Sequence, residues 1–160
     1  MNVMRVRGLK SGWTAVLLFT LGLPGCVKAP DESTPVRVLE QYVQTSFHAS
    51  GVQDKKVMEG LLTGDTRARL EAWSEEQFKN TFIDNRKTFK ELKILENRKV
   101  SPAEVILVYE LSYQQGPKDK EVRITQRKLG TLIKETQDWK IKEVRNIRES
   151  IEYLEELSLP

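Results

Sequence analysis

The two side chains best suited to nucleophilic or acid–base chemistry at neutral pH each occur once, as Cys26 and His48. One thiol and one imidazole cannot make up a zinc-type ligand set. No Gly-x-Ser-x-Gly turn supports a serine nucleophile, and no glycine-rich loop is spaced to cradle phosphates. His48 falls near the end of the first expected helix, where the helix dipole favours a cation, so a solvated helix-end residue is expected. No catalytic residue, metal or cofactor is expected on these grounds. A better constellation comes from alternation in the second half of the chain. Tyr109, Tyr113 and Gln126 share the parity of apolar residues, and Glu143 shares the parity of Trp139 and Ile141. Pointed inward, these groups would supply the few convergent polar atoms of a small-ligand pocket. A carboxylate there would have a raised pKa and could accept a proton. A bulge at Glu143-Val144 would instead turn Glu143 outward and Val144 inward, and this is the expected arrangement. The tyrosines then read as core residues with hydroxyls at the rim.

The elements that must position these residues change period midway. Thr34 is a predicted N-cap with Pro35 at the first helical position. Val36, Leu39, Val43 and Phe47, with Tyr42 beside them, give one amphipathic face to about Ala49, and Gly51 ends it. A second helix is expected over about 54–62, closed by Gly64. A third, capped by Asp65, carries Leu70 and Trp73. Ser74-Glu75-Glu76-Gln77 fits a capping box for a fourth, which would bury Phe78, Phe82 and Ile83.

From Leu92 the pattern is that of strands. Val105, Leu107, Tyr109, Leu111 and Tyr113 alternate cleanly. Gly116-Pro117-Lys118-Asp119 is turn chemistry, and a pivot between Pro117 and Lys118 sets Tyr113 against Val122 and Leu111 against Ile124. Arg123 and Arg127 then lie diagonal to Glu110 as compensated pairs. The parity slips near Lys128-Leu129-Gly130, which predicts a bulge. A turn at Thr136-Gln137-Asp138 sets Ile141 against Ile133, and the last strand runs to about Glu149. Ile151, Leu154 and Leu157 predict a short C-terminal helix. It would offer Ile106 and Val108, apolar on the outward face, a cover; a partner protein is the alternative.

The chain is 160 residues long with a formal charge of +3, unevenly placed. Arg5, Arg7 and Lys10 lie in the first ten residues, and no acidic residue precedes Asp31. Removing those three from the 26 basic residues leaves 23 against 23 acidic ones from Cys26 onward. Near-zero charge on that part argues against nucleic acid as a partner, since phosphate neutralisation needs a basic surface. A lone cysteine also forms no internal disulfide, so the fold must stand on its hydrophobic core.

Trp13 to Leu23 is an apolar run of eleven residues behind a basic start. It is too short for a bilayer-spanning helix, which takes roughly 20 residues, and it has the form of a signal-peptide h-region. Leu23-Pro24-Gly25-Cys26 follows directly and resembles the lipobox of bacterial lipoproteins. Leu23, Gly25 and Cys26 match that pattern, and Pro24 departs from it. The resemblance implies cleavage after residue 25, lipid attachment (diacylglyceryl, palmitate-type chains) at Cys26, and a membrane partner through that anchor. Val27, where lipoproteins kept at an inner membrane often carry Asp, implies an outer-membrane site facing the periplasm in a host with two membranes. The expected organisation is thus a signal peptide over 1–25, a lipidated tether over 26–34 and one domain over 35–160.

Helices followed by an antiparallel meander place that domain in the α+β class. The order resembles the NTF2-like (cystatin-like) superfamily, as does Asp138-Trp139-Lys140-Ile141-Lys142-Glu143-Val144, similar to the last strand of many small exported members. The resemblance implies N-terminal helices packed against a curved antiparallel sheet that forms a cone, with a short C-terminal helix. Fold alone does not assign activity. The leading expectation is a non-enzymatic, lipid-anchored cell-envelope protein acting through an envelope protein partner or a small apolar pocket. The alternatives are an isomerase- or dehydratase-type enzyme built on Glu143, and a carrier of an apolar ligand such as lipid.

Overall fold

The computed structural model describes residues 33–85, 87–117 and 121–154. The expected signal peptide, Cys26 and nearly all of the tether lie outside the described residues. Among the described residues no helix is long and apolar enough to cross a membrane.

Helix α1, Pro35–His48, opens as the sequence suggests: the Arg37 amide donates to the Thr34 hydroxyl at 3.3 Å, and Pro35 occupies the first turn. Its apolar stripe buries Val38, Leu39 and Val43, with Val36, Tyr42 and Phe47 packed at the margin of the core. Helix α2, Gln53–Leu61, is held at its start by Asp54, whose carboxylate accepts from the Ser50 and Gly51 amides. Those bonds hold the Asp54 carboxyl below its ordinary range. Helix α3 is Gly64–Glu71; Thr63 is its N-cap residue, and Asp65 sits inside the first turn rather than capping it. Gly64 adopts φ 57°, a left-handed conformation that favours glycine. Helix α4, Glu75–Phe78, begins with the predicted capping box, Ser74 and Gln77 bonding reciprocally. It runs on into a single π-helical turn, Lys79–Ile83. Phe78 is fully buried, while Phe82 and Ile83 are half-buried at the core margin.

Strands β1 (Lys87–Ser101), β2 (Glu104–Gln115), β3 (Val122–Glu135) and β4 (Asp138–Tyr153) form one antiparallel meander in sequence order. Its inner pair, β2 and β3, registers along its whole length without a shift. The edge strands do not: β1 slips at three places against β2, and β4 at two places against β3. Extra residues on the outer strands bend the sheet, and the helices pack into the resulting concave face. The core there joins Leu39, Val43, Met58, Leu62 and Phe78 to Leu107, Tyr109, Leu132 and Ile141.

The architecture is therefore α+β, helices first and curved sheet second. Further details differ from the sequence expectations. Tyr113 pairs with Ile124 and Leu111 with Gln126, two residues from the expected register. A shift of two keeps every side chain on its face, so alternation cannot detect it; Pro117, lacking an N–H, stays outside the ladder. The same shift sets Arg127 directly opposite Glu110, to which it donates two hydrogen bonds at 2.7 and 3.2 Å; Arg123 pairs instead with Glu152 across β3 and β4. Ile141 pairs with Leu132 rather than Ile133. Finally, β4 continues through Ile151–Tyr153 as strand where a helix was expected. Pairing with Val122–Ile124 offers those three residues a backbone ladder, which outweighs a weak helical pattern; Leu157 lies outside the described residues. Ile106 and Val108 are consequently not covered by a helix. They sit half-buried on the convex face, opposite Thr131 and Leu129.

One end of the sheet is closed by the link between α2 and α3. Leu62 bridges Ile141 in parallel, the Thr63 amide donates to the Ile141 carbonyl at 3.0 Å, and the Thr66 hydroxyl donates to the Lys142 carbonyl at 2.7 Å. Lys55 locks the other side of that link, donating to the Glu71 and Trp73 carbonyls at 3.1 and 2.7 Å and pairing with Glu59. The opposite end of the sheet, where β2 passes to β3, has no such clasp among the described residues.

Candidate functional site

At that open end lies a cleft of about 420 Å³ between α1, the π-helical turn and the concave sheet. Tyr42 and Ser46, four apart on α1, and the C-cap residue Ala49 lie along one wall, with Phe47 beside them. The π turn supplies Thr81, Phe82 and Ile83 to a second wall; widening a helix by one residue re-aims the side chains that follow, and such turns recur at functional sites. The floor comes from inward positions of the two central strands, Leu111 and Tyr113 on β2 and Gln126 and Lys128 on β3. Asn85 and Lys87 close the side next to β1.

The lining divides by chemistry. Phe47 stacks at an angle on Tyr113 with ring centroids 5.4 Å apart and meets Phe89 edge-on at 5.7 Å. Phe82 sits 5.1 Å from Phe78 and 6.0 Å from Trp73, so the apolar part is backed by the core. Tyr42 and Phe82 also border a neighbouring, more apolar cleft that reaches Leu62, Leu70 and Val144. Polar groups are spaced among these. Asn85 accepts from the Gln115 amide at 2.9 Å, which fixes its orientation. Gln126 donates to Glu149 on β4.

Two half-buried lysines flank the cleft. The Lys87 ammonium stands 5.7 Å from the Tyr113 ring centroid, within cation–π range. Lys128 lies on β3 directly opposite Tyr109. Among the described residues neither ammonium is in an ion pair or a hydrogen bond. Burial holds Lys87 below the ordinary lysine range. Burial does the same to Lys128; the Glu149 charge pulls it back up and the Lys87 charge pushes it further down. The phenol of Tyr113 is raised by burial and then by Glu149, and that of Tyr42 by burial.

Of the four pocket candidates read from the sequence, the structure brings Tyr113 and Gln126 together in the cleft lining. Tyr109 lies beside them in the core, 1% exposed, its phenol raised by burial and by Tyr42. Glu143 does not join them. The pairing steps from Thr131–Glu143 to Leu132–Ile141, so Lys142 is the extra residue of a bulge. Glu143 consequently faces the convex side, 47% exposed and paired with Arg145 at 3.4 Å, while Val144 packs at the core margin. His48 is exposed at the end of α1, its ring nitrogen 2.9 Å from the Gln44 carbonyl. No group of three or more metal-ligating side chains occurs among the described residues.

Lys87 and Lys128 are the residues that sequence reasoning missed. For Lys128 a signal existed. The bulge expected at Lys128-Leu129-Gly130 lies across the ladder on β4, where pairing steps from Arg127–Arg148 to Lys128–Asn146 and Ile147 is the extra residue; β3 itself keeps unbroken register with β2, Lys128 inward and Leu129 outward. Lys87 sits five residues before the strand that alternation reveals, and only the pairing of Lys87 with Gln115 brings it to the cleft. No protein-family model matches the chain, and no curated protein matches it.

Proposed function

We propose that this chain is a lipid-anchored protein of the cell envelope whose single domain binds a small molecule in the cleft at the open end of its sheet, without transforming it. The observation that supports binding is the cleft itself. Its volume falls in the range of small-molecule sites, and it combines aromatic walls with a few oriented polar groups. Its described lining residues offer ammonium groups, hydroxyls and amides for ion pairing and hydrogen bonding beside the aromatic walls. The enzyme alternative built on Glu143 loses its support, because that carboxylate faces solvent on the other side of the sheet.

The address rests on Cys26 and its context, the sole cysteine set directly behind a short apolar run. We also place the domain with the NTF2-like superfamily as a proposal supported by element order: helices first, then a bent antiparallel meander with α1 on its concave face. Contact with an envelope protein remains the second mode of action. Ile147, Ile151 and Tyr153, all exposed on β4, favour it.

Membrane-extracted protein tests the anchor. Its intact mass should correspond to a chain starting at Cys26 and carrying a diacylglyceryl group, and Cys26→Ser should abolish that addition. A mature N-terminus mapped at any other residue sinks the proposal of a lipid anchor.

A further inference from the structure

Resting on the binding reading, we infer that the cleft selects a small monoanionic amphiphile, its carboxylate met by the Lys87 and Lys128 ammoniums and its apolar body set against Phe47, Phe82 and Leu111. Placing two ammoniums beside the aromatic walls of a partly desolvated cleft is unfavourable unless something offsets it. Elsewhere in this fold that offset is visible: Lys55 has two carbonyls and Glu59 within reach. The two cleft lysines have no such protein partner among the described residues. A bound anion would supply it.

The surroundings limit the charge that fits. Five elements contribute titratable or charged groups here: Lys87 on β1, Tyr113 on β2, Lys128 on β3, Glu149 on β4 and Tyr42 on α1. Among the described residues, two ammoniums against one nearby carboxylate leave a net of about one positive charge. The carboxyl end of α1, whose partial charge is negative, also comes to the cleft at Ala49. Among the described lining residues there is neither an arginine fork nor a turn of converging amides, as a phosphate dianion would favour. Beyond the lysines, Thr81 offers a hydroxyl, and the Asn85 amide nitrogen is free to donate while its oxygen holds Gln115. The volume equals that of about fourteen water molecules, which suits a ligand of roughly a dozen non-hydrogen atoms.

Three probes of that size that differ in head group decide the matter: 4-phenylbutyrate, 4-phenylbutan-1-ol and 4-phenylbutylamine, titrated calorimetrically into the full chain held in lipid nanodiscs. The acid should bind at least tenfold more tightly than the alcohol, and the amine most weakly. Replacing both lysines, Lys87→Gln with Lys128→Gln, should weaken the acid tenfold or more and change the alcohol less than twofold. Thermal unfolding would confirm that the variant is folded, with the two single variants as substitutes if it is not. Raising the pH from 7 to 10 should weaken the acid as the ammoniums lose their protons. Equal affinity for acid and alcohol, or an acid affinity untouched by the lysine changes, overturns the anion assignment and leaves the cleft as a neutral binding site. Failure of all three probes to bind overturns the binding reading as well.

Discussion

At one end of the sheet Leu107, Leu132 and Ile141 are fully buried with Met58 and Leu62, and the α2–α3 link is bonded to the edge of β4. At the other, the same strands carry Leu111, Tyr113, Gln126 and Lys128 into a cleft, and β4 leaves Ile151 and Tyr153 52% and 78% exposed. Strand composition does not separate the two ends, because β2 alternates the same way throughout. Coverage separates them. The helices are short and reach across the closed end, while among the described residues the open end has the last turns of α1 and the π-helical turn over it. A sheet longer than its helical cover thus has one end sealed by packing and one where the concave face is left as a cleft.

The sharpest way to break this contrast is to truncate side chains at each end. Leu132→Ala should cost about 3 kcal/mol, in the range for fully buried leucines. Ile124→Ala, next to exposed Ile151, should cost about half as much because solvent already reaches its neighbours. Urea unfolding of both variants would read the difference, and equal losses would erase the distinction between the ends.

A smaller effect is expected at the wall of the cleft. Ser74 starts the helix that continues into the π turn, and its hydroxyl accepts from the Gln77 amide at 3.1 Å. Ser74→Ala should destabilise by about 1 kcal/mol. Because the turn carries Thr81, Phe82 and Ile83, hydrogen exchange should quicken over 75–83 and stay unchanged at Leu132. Uniform quickening would show that the wall is not a separable part.

The smallest effect has the opposite sign. Lys128 has a folded-state pKa below its ordinary 10.5, so between the two values the unfolded chain binds more protons than the folded one. Its contribution therefore disfavours folding near neutrality and fades as the pH rises toward the unfolded value. Lys128→Met should raise the midpoint of thermal unfolding at pH 7 by a degree or two, since about 1 kcal/mol shifts a domain of this size by roughly 4 °C and solvent screens part of the effect. The advantage over the wild type should shrink by pH 10. A variant less stable than the wild type at pH 7 would mean that Lys128 is held by favourable contacts within the protein.

Much of this was legible in the chain. Thr34-Pro35 and the Ser74–Gln77 box announced helix starts because capping is a local exchange of hydrogen bonds between residues three apart. The alternation from Val105 to Tyr113 announced a half-buried strand because side chains switch faces at every residue. The same alternation placed Tyr113 and Gln126 on the inner face. What tertiary structure decided was everything that depends on a neighbour. Alternation cannot distinguish registers two residues apart, so Tyr113 met Ile124 instead of Val122. It cannot see a ladder, so Ile151–Tyr153 became strand beside Val122–Ile124 where their own pattern suggested a helix. It reads a lysine at an inward position as an error of register, although Lys128 keeps its place and borders the cleft. Periodicity reports which face a residue takes, whereas burial at that face depends on what packs over it from distant parts of the chain.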